Sequence, residues 1–137
     1  MRRIPGYTLW LGHAGDVRDI RGLFAADIVA VIDLAIQEAP APVARELVYA
    51  RFPLVDGSGN PPWILRAAVD TVAGLLRDEV PTLVGCGVGL SRSPCIAGAA
   101  IARVTGCPPE QGLAIVLQSA PADVSPALWS EVRQAIR

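Results

Sequence analysis

Apolar and polar positions along the chain fall into blocks of two periodicities, and the blocks alternate. Tyr7-Thr-Leu-Trp-Leu11 alternates weakly up to Gly12 and predicts a first strand. His13 comes next, in a turn, where a lone histidine is ordinarily just solvated. Val17, Ile20, Leu23 and Phe24 recur at helical spacing behind Asp16, a candidate N-cap, with Asp19 in the first turn. Ile28-Val-Ala-Val-Ile-Asp-Leu34 is a continuous run, mostly β-branched, of the kind buried on both faces of a parallel sheet. Glu38 to Val43, built of alanines and prolines, predicts a loop or a frayed helix. Leu47 to Val55 alternates as a strand in which Pro53 suits an edge or an end.

That strand runs into Asp56-Gly-Ser-Gly-Asn60-Pro-Pro, a turn-rich loop. Pro61 then opens a helix with Ile64, Ala68, Val72, Leu75 and Leu76 on one face. Arg66 and Asp70 form an i,i+4 pair on the other. After Pro81, Thr82-Leu-Val is a short buried strand leading into Cys86-Gly-Val-Gly89-Leu-Ser91-Arg92-Ser93-Pro94. The helix beyond it turns Ile96, Ala100, Ile101 and Val104 inward, and Gly106 closes it. Pro108-Pro-Glu-Gln opens another helix to about Ser119, and Ser125-Pro126 a last one with Leu128, Trp129, Val132 and Ile136 as its stripe. Strands alternating with helices predict an α/β fold, a central mostly parallel sheet of about four to five strands flanked by helices. With 137 residues and no repeat or linker, the expected organisation is one domain over 1–137.

Composition narrows the function. The chain is 52% apolar, with mean hydropathy +0.41. Even so, no run reaches the ~18 apolar residues of a membrane span, and Asp27 and Asp33 break the best candidate, Leu23 to Ile36. Met1-Arg2-Arg3 has the start of an export signal, but Pro5, Gly6 and Gly12 interrupt the short apolar stretch behind it. Net charge is −1 and no basic cluster occurs, so neither nucleic acid nor an anionic membrane is an expected partner. The three cysteines lack metal-type pairing and predict a reducing, cytoplasmic setting without a metal or other cofactor.

The chemistry concentrates after the strand at Thr82. A strand turning through glycines into a helix makes a cup of inward-pointing backbone N–H groups that suits a phosphate. The field of such a cup favours the thiolate form of a cysteine at its floor. Arg92, six residues after Cys86, can grip two phosphate oxygens with its fork. Neither Cys95 nor Cys107 has an arginine at that spacing. The expected chemistry is thiolate attack on a phosphate ester.

At these residues the chain resembles the cysteine-dependent protein tyrosine phosphatases, in particular their small dual-specificity branch. The family signature, His-Cys-x-x-Gly-x-x-Arg followed by Ser or Thr, stands here as Gly85-Cys86-Gly-Val-Gly89-Leu-Ser-Arg92-Ser93, with Gly85 in place of the loop-ordering histidine. The resemblance implies Cys86 as nucleophile and the loop Gly87, Val88, Gly89, Leu90, Ser91 and Arg92 as the phosphate site. It implies a hydroxyl of Ser93 that bonds the sulfur as the intermediate breaks down; as a residue, Ser93 reads equally as an N-cap. It implies a general acid about thirty residues upstream, which matches Asp56, although Asp-Gly is also an ordinary turn pair. An arginine that the family often carries near Ala120-Pro121, where it supports the loop, is missing here. Cys95 reads as a buried helix cysteine before it reads as a disulfide partner for Cys86.

The function so implied is a phosphoric monoester hydrolase, a protein tyrosine or dual-specificity phosphatase. Its partners would be a phosphorylated protein or a small phosphomonoester, with the chain a monomer. The alternatives are an inactive phosphate-binding pseudophosphatase, suggested by Gly85, and a thiol sulfurtransferase. Gly87, Val88, Leu90 and Ser91 add no positive charge to the loop, which speaks against highly phosphorylated substrates.

Overall fold

A computed structural model of the chain describes residues 1–42, 44–119 and 121–137. Its centre is a five-stranded sheet built from β1 (Arg2–Arg3), β2 (Leu9–His13), β3 (Ala30–Ala35), β4 (Val48–Leu54) and β5 (Thr82–Cys86). The spatial order is β1-β2-β5-β3-β4. β2, β5, β3 and β4 run parallel, and β1 alone pairs antiparallel, Arg2 facing Leu11 and Arg3 facing Trp10. The mostly parallel sheet is thus as the sequence predicts, and β4 lies at an edge, as Pro53 suits. β1 has no signature in the sequence because two exposed arginines carry no strand pattern.

Every residue of β3 and β5 is buried, since helices cover both faces. The two-residue period divides their side chains. Ile32 and Val84 join the larger core with α3 (Pro62–Arg77), α4 (Arg92–Thr105), α5 (Pro109–Ser119) and α6 (Pro126–Ala135). Val31 and Leu83 point the other way, against Val17 of α1 (Ala14–Arg18) and Leu23 of α2 (Ile20–Ala25).

Several local expectations change. The predicted helix after Gly12 is two short ones, because Asp19 ends α1 and caps α2 by accepting from the Gly22 N–H at 3.1 Å. Asp16 is the third helical residue rather than the cap. His13 is the cap: its Nδ1 accepts from Gly15 N–H and its own N–H donates to Asp16 Oδ2, both at 3.0 Å. On α3 the buried stripe is Leu65, Ala68, Val69, Val72, Ala73 and Leu76, with Ile64 and Leu75 at its margins. Asp70 pairs with Arg103 of α4 at 3.6 Å, not with Arg66. Gly106 closes α4 at φ 76° and α6 opens at Ser125-Pro126, both as predicted, with Ser125 as the cap. Residues 36–42 are irregular, as a loop there requires; Val43, at the end of that predicted loop, lies outside the described residues. Among the described residues no helix is long and apolar enough to cross a membrane.

Candidate active site

In an open parallel sheet, ligands meet the chain beyond the carboxyl ends of the strands. Four strands end at one such edge here. β2 delivers His13, β3 delivers Gln37, β4 delivers Asp56, and β5 delivers Cys86 and the loop to Arg92. Ile36, Gln37, Glu38, Val55, Asp56, Gly87, Val88 and Arg92 line a cleft of about 400 Å³.

The loop hands its carbonyls to the protein and keeps its amides. Gly87 O accepts from Ala14 N–H, Leu90 O from Asp123 N–H at 2.8 Å, and Ser91 O from Cys95 N–H. No acceptor for the N–H groups of Val88, Gly89, Leu90 or Ser91 occurs among the described residues. Four unpartnered amides on one tight turn form a cradle of positive potential. Gly89 is required twice over. Its φ is +79°, and a Cβ there would stand 2.8 Å from Gly12 O at the end of β2. The side chain of Ser91 is also engaged, its Oγ accepting from Ser125 N–H at 2.9 Å.

Arg92 is turned inward and is 4% exposed. Its Nη1 donates to Leu54 O at 2.9 Å and to Gln37 Oε1 at 2.7 Å. With Nη1 anchored, Nε and Nη2 remain as the fork for a tetrahedral anion. Cys86 is 2% exposed, ends β5 where the loop begins, and is one of the buried residues of the larger core. His13 is its register partner on β2. Gly85, the departure from the family signature, has a local cause. A Cβ at 85 would run into the Val17 side chain, because α1 lies directly on this point of β5.

Asp56 is exposed and lines the same cleft as Gly87, Val88 and Arg92. The loop that carries it is closed by buried Asn60, whose Oδ1 accepts from Val55 N–H at 2.8 Å and whose Nδ2 donates to Val55 O and Gly57 O. Glu131 of α6 then accepts from Gly59 N–H at 2.8 Å and Asn60 N–H at 3.2 Å. Partial desolvation would raise the Glu131 pKa, but these hydrogen bonds together outweigh it and hold the carboxyl below its ordinary range.

Ser93 is the second residue of α4, and Ser91 occupies the N-cap position, so the capping role predicted for Ser93 does not hold. Its hydroxyl is fully buried and has no hydrogen-bond partner among the described residues. Cys95 is free and fully buried, as a helix cysteine should be. Burial first, then the negative charges of Asp56 and Cys86, push its thiol up to about 12. Of the position where the family's supporting arginine is missing, Ala120 lies outside the described residues. The loop is braced instead by the backbone amides of Asp123 and Ser125.

Sequence reasoning missed Gln37, Asn60 and Glu131. Gln37 had a usable signal, its place just past the carboxyl end of a buried strand. Asn60 and Glu131 had none, for their partnership crosses 71 residues.

No protein-family model matches the chain, and no curated protein matches its sequence. Solved structures do match. Human DUSP28 superimposes with TM-score 0.85 at 22% identity, over 99% of this chain and 95% of that one. A mouse putative dual specificity phosphatase complexed with zinc tungstate gives 0.84 at 23%, over 98% and 84%. The human tyrosine phosphatase-like serine/threonine/tyrosine-interacting protein gives 0.83 at 18%, over 98% and 93%. The protein therefore has an α/β phosphatase fold. More particularly, that fold is the small dual-specificity phosphatase fold.

Proposed function

We propose that the chain is a phosphoric monoester hydrolase of the protein tyrosine or dual-specificity type, working through a phosphocysteine. The observation that carries this reading is the pairing of four unpartnered loop amides with an arginine anchored through Nη1 alone. Such a site fits an oxyanion and stabilises the charge spread over the equatorial oxygens in the transition state.

In the first step the Cys86 sulfur attacks phosphorus and the ester P–O bond breaks. Asp56 donates its proton to the departing oxygen. In the second step water attacks the phosphocysteine, Asp56 takes a proton from it, and the S–P bond breaks to release inorganic phosphate. The N–H groups of Gly87, Val88, Gly89, Leu90, Ser91 and Arg92, with the Arg92 fork, hold the phosphoryl oxygens throughout. The unpartnered hydroxyl of Ser93 is the group we assign to assist the sulfur as it leaves. The substrate is a phosphorylated protein or a small phosphomonoester. The three free cysteines suit a reducing, cytoplasmic setting.

A second reading, oxyanion binding without turnover, is favoured by Gly85 and by the deep burial of Cys86. Hydrolysis of an aryl phosphate near pH 5.5, with and without vanadate, separates the two. Under the first reading Cys86→Ser is inactive yet still binds oxyanion, and Asp56→Ala loses ~10²–10⁴-fold in turnover. A wild-type protein that binds vanadate but turns nothing over would establish the second.

A further inference from the structure

The loop that carries Asp56 is closed internally at Val55, Gly57 and Asn60, but none of those bonds ties it to the rest of the fold. Gly57 and Gly59 sit at φ 155° and 99°, conformations that glycine takes without strain. Asp56 itself is exposed, and no side chain among the described residues hydrogen-bonds its carboxylate. A general acid must nevertheless be held within a fraction of an ångström of the leaving oxygen, because small misplacements cost orders of magnitude in rate.

The structure assigns that task to Glu131 of the last helix: it is the positioning residue of the acid loop, fastening Gly59 and Asn60 so that Asp56 faces the phosphate cradle. Glu131 Oε2 takes the Gly59 N–H at 2.8 Å, and Oε1 takes the Asn60 N–H at 3.2 Å and Asn60 Nδ2 at 3.3 Å. Asn60 passes the constraint on, since its side chain brackets Asp56 by binding both Val55 and Gly57. The helix supplying the carboxylate is itself immobilised, with Leu128, Val132 and Ala135 buried against the core. The N-cap residue of the same helix, Ser125, donates its N–H to Ser91 of the phosphate loop. One rigid element thus sets the distance between the acid and the anion site. Glu131 touches no reacting atom, and its effect passes wholly through Asp56.

The chemical part of this inference rests on the phosphatase reading, so the test has two arms. In the first, wild type, Glu131→Ala, Glu131→Gln, Asp56→Ala and the Glu131→Ala/Asp56→Ala double variant are assayed on two substrates. Phenyl phosphate needs its leaving group protonated, and 2,4-dinitrophenyl phosphate does not. Glu131→Ala should lose about 10- to 100-fold in kcat on phenyl phosphate and less than about threefold on the activated ester. Vanadate inhibition should be unchanged, and Asp56→Ala should mask the effect in the double variant. Glu131→Gln keeps one carbonyl acceptor and should fall between wild type and Glu131→Ala. An equal loss on both substrates, a loss that adds to that of Asp56→Ala, or no loss at all would overturn the assignment.

The second arm is independent of turnover. Amide hydrogen exchange at Gly59 and Asn60 should quicken about tenfold or more in Glu131→Ala while α4 stays protected. Unchanged exchange there overturns the anchor whatever the activity. If wild type hydrolyses neither ester but the exchange changes as expected, the anchor stands and the phosphatase reading falls.

Discussion

Arg92 Nη1 donates to Gln37 Oε1 at 2.7 Å, and the partner it meets there is neutral. The other acceptor on the same nitrogen, Leu54 O, is neutral as well. The guanidinium is therefore fixed in direction without being compensated in charge. Its full positive charge faces the cleft, where Glu38 and Asp56 are the acidic groups on the wall. Among the described residues, no second cation lines that cleft.

Gln37→Glu tests this arrangement. The carboxylate would keep the acceptor and the shape but neutralise the guanidinium, and vanadate or phosphate should bind about 10- to 100-fold more weakly. Gln37→Leu removes the acceptor without adding charge. It should reduce kcat more than oxyanion affinity, because the fork loses its aim rather than its charge. Inhibition constants measured beside turnover distinguish the two variants. Arg92→Lys should fail on both counts, since one ammonium cannot hold Leu54 O, Gln37 and two phosphate oxygens together.

Gly85→His would restore the residue usual at that position of the signature, and it should not improve the protein. A side chain at 85 meets Val17, whose helix is packed on β5. Overpacking of this kind costs about 1–3 kcal/mol, which thermal or denaturant unfolding would register. Gly85→His combined with Val17→Ala should recover part of the loss. If Gly85→His alone leaves stability unchanged, α1 is not held against the strand as described.

The same residues explain how much could be read without coordinates. The turn from β5 into α4 was legible because Cys86, Gly89, Arg92 and Ser93 are local, and because flanking periodicity marked a strand before them and a helix after. The parallel core was legible in the mostly apolar run of β3, which only Asp33 interrupts. What escaped was whatever depends on distant partners. Asp70 had Arg66 at helical spacing, but α4 brought Arg103 to it instead. Gly85 looks like the loss of a catalytic aid until Val17 is seen to fill the space beside it. Ser93 suited the start of a helix, yet the helix begins one residue earlier and Ser91 holds the cap position. Gln37 and Glu131 are ordinary exposed-type residues whose roles exist only once strand ends and the last helix converge.

Cys95 makes a prediction at alkaline pH. Burial, reinforced by the charges of Asp56 and Cys86, raises its thiol from 9.0 to about 12 in the folded chain. The unfolded chain ionises this thiol near the ordinary value and the folded chain resists. Stability from this group is whole below pH 9.0 and is lost as pH rises through about 12. Denaturation midpoints should decline over that window, and less steeply in Cys95→Ala. The same burial should keep Cys95 unlabelled by iodoacetamide at neutral pH while Cys107, partly exposed, reacts.

Glu131 makes the complementary prediction at acid pH. Desolvation pushes its carboxyl upward, but the hydrogen bonds from the acid loop together outweigh that push and hold it below the ordinary range. A depressed pKa means that the anchor is complete above the ordinary carboxylate value and fails as pH falls through the folded one. Arg66 is the charged group that lines the cleft between α3 and α6 with Glu131. Protection of the Gly59 and Asn60 amides should therefore hold at neutral pH and collapse only below about pH 4.5. In Glu131→Gln the protection should be weaker and flat across the same range. A loop that loosens identically with pH in both proteins would place the titrating group elsewhere.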